Sequence, residues 1–220
     1  NDAGNRKILV NTLTNKKNDD INQSYEGNGT IKAILSNMAQ ADKDIVDVIF
    51  FESDGKLHSY ASSIAERSVS QHYDFTKYDI LKKITDDNRQ FNVYSDRSPE
   101  YILGGSFPVI TFAGGIVDVE KGADGMIIGK YIINLSTKSF FEAYEQFSGN
   151  PEGDLLIINS DKSIIFSKNS SDIGTEFEDY DQIMQNAGNK IMLEKKTVVN
   201  VTKIMPLKIS LIAMMPEDEI

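Results

Sequence analysis

Cysteine and tryptophan are both absent from the 220 residues, and histidine occurs only twice. Without cysteine the chain has no disulfides, thiol nucleophile or thiolate metal site. No apolar run approaches the roughly 20 residues that a membrane span needs, and no basic-then-apolar leader opens the sequence. Basic residues are outnumbered 33 to 23 by acidic ones, so the net charge is −10. This balance argues against nucleic acid or an anionic membrane surface as a partner, because both need a clustered basic face.

Residues that carry out reactions are also scarce. Of the two histidines, His58 falls in the middle of a predicted strand and His72 in a loop. The sequence has no Gly-X-Ser-X-Gly elbow, no Walker loop and no His-X-X-X-His pair. The acidic groups at 42–47 and 176–181 are typical of solvated faces and helix starts. We therefore expect no catalytic residue, no metal site and no cofactor in this chain.

What the sequence does contain is one hairpin pattern used twice. Residues 48–60 and 155–167 each consist of a short apolar run, a tight polar turn and a second strand, which is a hairpin signal. Their turns, Ser53-Asp54 and Ser160-Asp161, match at an offset of 107 residues. A solenoid would repeat every 20–50 residues or so. The pattern therefore predicts two similar domains in tandem.

The first 41 residues are predicted to be mostly helical. Ile31, Ile34, Leu35 and Met38 follow the i, i+3, i+4, i+7 spacing of one apolar stripe, whereas the glycines of residues 27–29 predict a break or a kink. Two interpretations stay open at this point. The helix packs on a core, or it continues from a membrane span and pairs with its copy in a dimer.

The remaining pattern predicts an α+β fold in which each half is a five-stranded antiparallel sheet with helices to one side. Asp74 or Thr76 is expected to cap a helix in the first half. The predicted elements are a hairpin at 45–62, a helix at 76–89, an irregular segment at 92–106, strands at 107–119 and 126–134, a helix at 136–147, a hairpin from 154, a helix at 180–186, and strands at 190–202 and 207–215.

A ligand pocket is expected beside the polar and aromatic segment 94–101. Arg97 offers a forked donor for a carboxylate, and Tyr94 and Tyr101 offer walls with a hydroxyl group. Asp118, at the end of a neighbouring strand, can accept from an amine, and Tyr60 of the first hairpin completes the candidate set. The alternative interpretation is an exposed loop with an ordinary arginine. In the second half the corresponding loop is short and leaves less room for a ligand.

Four stretches together carry a family resemblance that covers nearly the whole chain. The chain resembles double-Cache sensor domains, the tandem PAS-like (PDC) extracytoplasmic modules of bacterial receptors, and most of all those of sensor histidine kinases. The resemblance lies in their order and spacing: the long leading helix with the strand and turn at 46–56, the segment 125–135, the hairpin 157–167 followed by Ile173-Gly174, and the closing strand 207–216.

The resemblance implies a helical segment at 1–41, a membrane-distal PAS-like module at 42–135, a connecting helix and linker at 136–152, and a membrane-proximal module at 153–220. The distal module would bind a small molecule, and Arg97 and Tyr101 match the arginine and tyrosine of amino-acid-binding members. The family's tryptophan has no counterpart here. An amino acid, another carboxylate, a sugar-like ligand or no small ligand therefore all stay open.

The function that the resemblance implies is ligand sensing outside the cytoplasm. This region would belong to a homodimeric receptor, held in the membrane by flanking spans and relaying a signal inward, and both ends of the sequence look like those of an excised fragment. The full-length protein would be a histidine kinase, although this region would not be an enzyme. The alternatives are a chemoreceptor, a cyclic-dinucleotide enzyme or, from another class, a surface adhesion or scaffold protein.

Overall fold

The computed structural model has the predicted α+β fold with two five-stranded sheets and a small two-stranded one. It describes residues 21–53, 55–61, 68–70, 72–85, 91–96, 99–103, 108–118, 126–147, 153–186, 191–193 and 196–216. Within these ranges no helix is both long enough and apolar enough to cross a membrane.

The chain forms two compact units. The first comprises Asn1–Phe91, Glu100–Gly105 and Phe112–Leu135, and the second comprises Asn92–Pro99, Ser106–Thr111 and Ser136–Ile220. By their contacts, residues 92–99 and 106–111 group with the second unit. These units are not the same division as the modules expected from the sequence, whose boundaries stay a prediction.

The first large sheet has the strand order β2-β1-β7-β6-β4. Its strands are β1 (Ile45–Glu52), β2 (Leu57–Ala61), β4 (Asn92–Asp96), β6 (Val109–Val117) and β7 (Ile127–Ser136), and a separate pair is formed by β3 (Ser68–Val69) and β5 (Ile102–Leu103). β1 lies between two antiparallel neighbours, with Phe51 opposite Leu57 on β2 and Lys130 on β7.

Helix α1 (Ile21–Ala41) packs its apolar stripe on one face of this sheet. Ile31 and Leu35 are buried against Val48 and Phe50 of β1. The helix runs without interruption through residues 27–29, so the break predicted there is wrong, whereas the alternative of a kink stays a prediction. Burial of the stripe offsets the roughly 1 kcal/mol that each helical glycine costs relative to alanine.

Two predictions for the middle of the first half are wrong. Up to Thr85, the helix expected at 76–89 is replaced by a 3-10 turn (Phe75–Lys77) and the one-turn helix α2 (Asp79–Lys82). Residues 86–89 of that prediction lie outside the described residues. Tyr78 between them has an extended backbone and interrupts the helix while its side chain is buried. The segment 92–106, expected to be irregular, contains β4 and β5, because sheet pairing outweighs its polar composition.

The second large sheet has the order β10-β11-β12-β8-β9. Its strands are β8 (Asp154–Asn159), β9 (Ile164–Phe166), β10 (Ile191–Leu193), β11 (Lys196–Ile204) and β12 (Ile209–Pro216). Helix α4 (Tyr180–Gln185) covers one face through Ile183, which packs with Ile158 and Ile212. Helix α3 (Lys138–Phe147) places Phe141 on Phe166, with ring centroids 4.8 Å apart.

The two hairpin turns match bond for bond at the offset of 107 residues. Glu52 donates its amide to the Lys56 carbonyl at 2.9 Å, and Asn159 donates its amide to the Ser163 carbonyl at 3.1 Å. The residues in left-handed conformation are Gly55, with φ of 88°, and Lys162, with φ of 62°. This match supports the repeated unit inferred from the sequence.

Candidate functional site

A cavity of about 820 Å³ lies in the first unit. Residues of β1, β2 and β7 line it, together with the segment from Tyr73 to Thr85. The lining consists of Phe51, Glu52, Ser53, Gly55, Leu57, Tyr73, Asp74, Phe75, Thr76, Leu81, Lys82, Ile84, Thr85, Ile127, Gly129 and Lys130. Apolar and aromatic walls with a few polar groups are typical of sites for small molecules.

The 3-10 turn that forms part of this lining is held by a side-chain cap. The Asp74 carboxylate accepts from the Thr76 amide at 3.2 Å and from the Thr76 hydroxyl at 2.6 Å. These hydrogen bonds, and a further one from the Lys77 ammonium, hold the pKa of Asp74 below its ordinary value of 3.8. Of the two caps predicted, Asp74 or Thr76, Asp74 is the one that forms, on this 3-10 turn and not on a long helix, and it keeps a negative charge at the cavity.

Aromatic rings pack in tilted and edge-on contacts behind one wall of the cavity. Tyr101 is fully buried, and its ring centroid lies 5.8 Å from Tyr73, 5.1 Å from Phe75 and 5.1 Å from Tyr78. Tyr73 and Phe75 themselves line the cavity. Tyr101 therefore supports the wall from behind.

A buried polar network fixes the position of Tyr101. The amide group of Asn134 on β7 donates to the Tyr101 hydroxyl at 2.7 Å and to the Asp47 carboxylate on β1 at 2.9 Å. All three side chains are inaccessible to solvent. Buried polar groups of this kind specify one arrangement, since a lost partner leaves a desolvated group unsatisfied.

Among the described residues, four charged side chains line the cavity (Glu52, Asp74, Lys82 and Lys130), and they differ in what they contact. Glu52 pairs with His58 at 2.5 Å, and the two side chains are 7% and 9% exposed. Lys82 pairs with Asp79 at 2.8 Å near the surface. Lys130 donates at 2.8 Å to the carbonyl oxygen of Leu81, in the last turn of α2. The cavity thus carries charges of both signs.

The sequence-predicted site residues do not line this cavity in the described part of the chain. Tyr101 lies behind its wall. Tyr60 packs with the α1 cluster on the other face of β1, and Asp118 is buried just after β6. Tyr94 belongs to the second unit, where burial and then the negative charge of Asp161 raise its pKa. Arg97 lies outside the described residues, so a site built on this set stays a prediction.

Lys130 is a lining residue that was not predicted to belong to a site, although its sequence context carries a signal. Alternation along β7 places Lys130 on the same face as Ile132 and Asn134. Both of these side chains are completely buried. A lysine on the buried face of a strand is unusual unless it has a specific role, and that contrast could have marked it.

No protein-family model matches the chain, and no curated protein matches it by sequence. Solved structures do match. The ligand-binding domain of the Pseudomonas aeruginosa amino-acid chemoreceptor PctB, in complex with L-Gln, aligns with a TM-score of 0.60 at 11% identity, over 98% of this chain and 88% of that one.

Two further structures extend the likeness to other receptors. The extracellular domain of rpHK1S-Z16, described as a histidine kinase, aligns with a TM-score of 0.58 at 14% identity, over 87% of this chain and 78% of that one. An extracellular ligand-binding receptor from Desulfohalobium retbaense aligns with a TM-score of 0.55 at 13% identity, over 84% of this chain. This chain spans about a third of that receptor, 33% of its length.

The chain shares the fold of these receptor ligand-binding domains. The fold expected from the resemblance is therefore confirmed, with a long first helix and two five-stranded PAS-like sheets. At these identities the likeness concerns the fold, and the site within that fold has to be argued from the residues of this chain.

Proposed function

We propose that this chain is the extracytoplasmic ligand-sensing region of a bacterial transmembrane receptor. The observation that carries the proposal is the cavity of about 820 Å³ in the first unit of a Cache sensor fold. Cavities of roughly 300–1,000 Å³ accommodate small organic ligands. In this proposal the region carries out no reaction of its own, and the signal is a change in the relative stability of two receptor states.

An amino acid or a similar small molecule is the ligand class that the site favours. The P. aeruginosa domain of the same fold is in complex with L-Gln. In this chain, Asp74 and Lys130 place a carboxylate and an ammonium in one lining that is otherwise rich in apolar side chains. Groups of both signs suit a zwitterion, and the apolar wall suits its side chain.

The receptor type in our proposal is a homodimeric sensor histidine kinase, anchored by membrane spans on either side of this region. The structural likeness to the extracellular domain of rpHK1S-Z16 supports this choice. A chemoreceptor is the second candidate, supported by the likeness to the PctB domain. The shared fold does not distinguish a histidine kinase from a chemoreceptor. Their cytoplasmic domains differ, so the gene sequence that encodes the cytoplasmic part would distinguish them.

A cavity-filling variant and its neighbour test the binding site. Ile127 lines the cavity, whereas Met126 next to it is 67% exposed and does not. Thermal unfolding of wild type, Ile127→Trp and Met126→Trp is measured with each of the twenty L-amino acids. We expect at least one amino acid to stabilise wild type and Met126→Trp but not Ile127→Trp. At one hundred times Kd the stabilisation is about 2.7 kcal/mol, which is a rise in Tm of about 5–10 °C.

Arg97→Ala serves as the second arm, because Arg97 belongs to the site predicted from the sequence. A folded Ile127→Trp protein that responds like Met126→Trp, together with loss of the response in Arg97→Ala, would place the ligand at the sequence-predicted set and not in the cavity. No response of wild type to any amino acid would refute the proposed ligand class.

A further inference from the structure

Three aromatic residues of the lining, Phe51, Tyr73 and Phe75, contact one another, and we refer to them as the aromatic corner. The ring centroid of Phe75 lies 4.7 Å from that of Phe51 and 5.0 Å from that of Tyr73, with interplanar angles of 59° and 76°. Rings set this steeply to one another present their faces in different directions. They therefore form an angled wall and not a flat one.

Asp74 adds a negative charge beside this corner, since it lies between Tyr73 and Phe75 in the chain and lines the same cavity. The Thr76 amide and hydroxyl fix its carboxylate, while its side chain stays 49% exposed. Its pair with the exposed Lys77, at 3.2 Å, is a surface ion pair, and such pairs contribute little. The carboxylate is thus held in place and remains accessible to a second cation.

Two other acids are less accessible than Asp74. The side chain of Glu52, which also lines the cavity, is 7% exposed, and one of its oxygens lies 2.5 Å from Nε2 of His58. Asp118, the acceptor for an amine that the sequence suggested, is buried and does not belong to the lining that the described residues form. A cation that enters the cavity therefore reaches Asp74 more easily than either of the others.

We infer that Asp74 and the aromatic corner form the ammonium subsite of the cavity, in which Asp74 accepts from the ammonium of an amino acid and the rings face its positive charge. The inference rests on the function proposed above and assigns one end of the ligand within the same site. A cation within about 6 Å of a ring centroid is attracted by the ring quadrupole. A hydrogen bond between an ammonium and a carboxylate is roughly twice as strong as one between neutral groups.

A cation suits this subsite better than an anion or an uncharged group does. The face of an aromatic ring is the negative side of its quadrupole, so the rings and Asp74 both repel a carboxylate. An uncharged apolar group packs well on the rings, but it removes water from Asp74 without offering a hydrogen bond in return. The ammonium end of an amino acid is therefore the part that fits here.

The test is calorimetric titration of the protein with each of the twenty L-amino acids. Every amino acid that binds is then compared with the acid that lacks only its α-amino group. For L-leucine this acid is 4-methylpentanoate, and for L-glutamine it is 5-amino-5-oxopentanoate. The comparison is made on wild type first, so its result does not depend on the folding of any variant.

The variants are Asp74→Asn, Tyr73→Phe and Tyr73→Leu, with Asp79→Asn as the matched control. Asparagine at position 74 removes the charge but keeps a side-chain oxygen for the cap on Thr76. Asp79 is an exposed acid of α2 that does not belong to the lining of the described residues. Its substitution removes one negative charge from the same segment, and so controls for the general electrostatic field.

For each amino acid that binds wild type, we expect the acid without the amino group to bind about tenfold more weakly or worse. Asp74→Asn should weaken the amino acid by about tenfold and remove most of its advantage over that acid. Tyr73→Leu should weaken the amino acid by about threefold or more, whereas Tyr73→Phe, which keeps a ring, should stay within about twofold of wild type. Asp79→Asn should also stay within about twofold.

Several results would overturn the inference. Equal binding of the amino acid and its deaminated acid by wild type is one, and it needs no variant. Others are a folded Asp74→Asn protein that keeps the full preference, a loss in Asp79→Asn as large as that in Asp74→Asn, or a folded Tyr73→Leu protein with unchanged affinity. In all of these cases amino acids still bind, so the proposed function stands. Failure of all twenty L-amino acids to bind wild type is different, because it refutes the proposed ligand class and the inference with it.

Discussion

Gly129 on β7 is a position where one methyl group should disturb the first sheet. A Cβ atom there would lie 2.5 Å from Cε2 and 2.7 Å from Cζ of Phe50, and 2.7 Å from the carbonyl oxygen of Phe51. Real Cβ atoms essentially never come this close to a neighbour. Alanine at this position therefore requires the ring, the strand or both to move.

Moving either the Phe50 ring or the Phe51 carbonyl would disrupt other contacts. The Phe50 ring is buried against α1, in a cluster with Ile31 and Leu35, and stacks on His58 with centroids 5.9 Å apart. The Phe51 carbonyl belongs to β1, whose pairing with β7 fixes its position. Overpacking of this kind costs about 1–3 kcal/mol, of which about 0.4–1 kcal/mol is returned by the lower entropy of the unfolded alanine chain. We expect Gly129→Ala to lose about 1–2 kcal/mol.

Gly29→Ala is the matched control, because Gly29 lies in α1 and an added Cβ meets nothing within 4 Å. It should stabilise the protein by about 0.5–1 kcal/mol through helix propensity. Urea unfolding followed by far-UV circular dichroism gives both free energies. The reasoning is refuted if Gly129→Ala is as stable as wild type, or if the two substitutions change stability in the same direction.

Three further predictions concern the cap, the turn and the buried network. Tyr101→Phe removes one acceptor of the Asn134 amide and should cost about 1–3 kcal/mol in urea unfolding; no loss would contradict the buried network. Gly55→Ala, at φ of 88° with open space around it, should cost about 1–2 kcal/mol from backbone strain alone, and Gly55→Asn should cost less. Because the pKa of Asp74 is lowered, its cap adds stability above about pH 4 that is lost as the pH falls through the lowered value; an NMR titration midpoint for this carboxyl at or above 3.8 would contradict this.

Local patterns in the sequence were sufficient for much of the fold. The apolar stripe from Ile31 to Met38 correctly predicts a helix that packs on a core. The matched turns at Gly55 and Lys162 correctly predict a repeated hairpin, because register and turn chemistry are encoded within a few residues. Even the cap at Asp74 could be predicted, since it involves a residue only two positions away.

The wrong predictions lie where contacts between residues distant in sequence determine the local structure. The helix predicted at 76–89 ends after Lys82, and buried contacts of Tyr78 with Tyr101 accompany the interruption. Those contacts join residues that are 23 positions apart. The strand β4 forms in a segment that its composition marks as irregular, because the neighbouring strand supplies the hydrogen bonds.

The candidate site shows the same division more sharply. The structure places Tyr101, one of the predicted site residues, behind the cavity wall formed by Tyr73 and Phe75, and its contact with a ligand stays a prediction. Lys130 was not predicted as a lining residue, because the position of its ammonium depends on a hydrogen bond to the Leu81 carbonyl, 49 residues earlier in the chain. A pattern of neighbouring residues in the sequence cannot reveal a contact of this separation.

The sequence by itself determined the class of this protein: two repeated α+β units in an acidic chain without thiols. These features follow from periodicity, turn residues and composition, which act over a few residues or over the whole chain at once. Only the tertiary structure decided where a cavity forms and which side chains line it. A cavity is the space between elements that are distant in sequence, and packing decides which of their side chains face it.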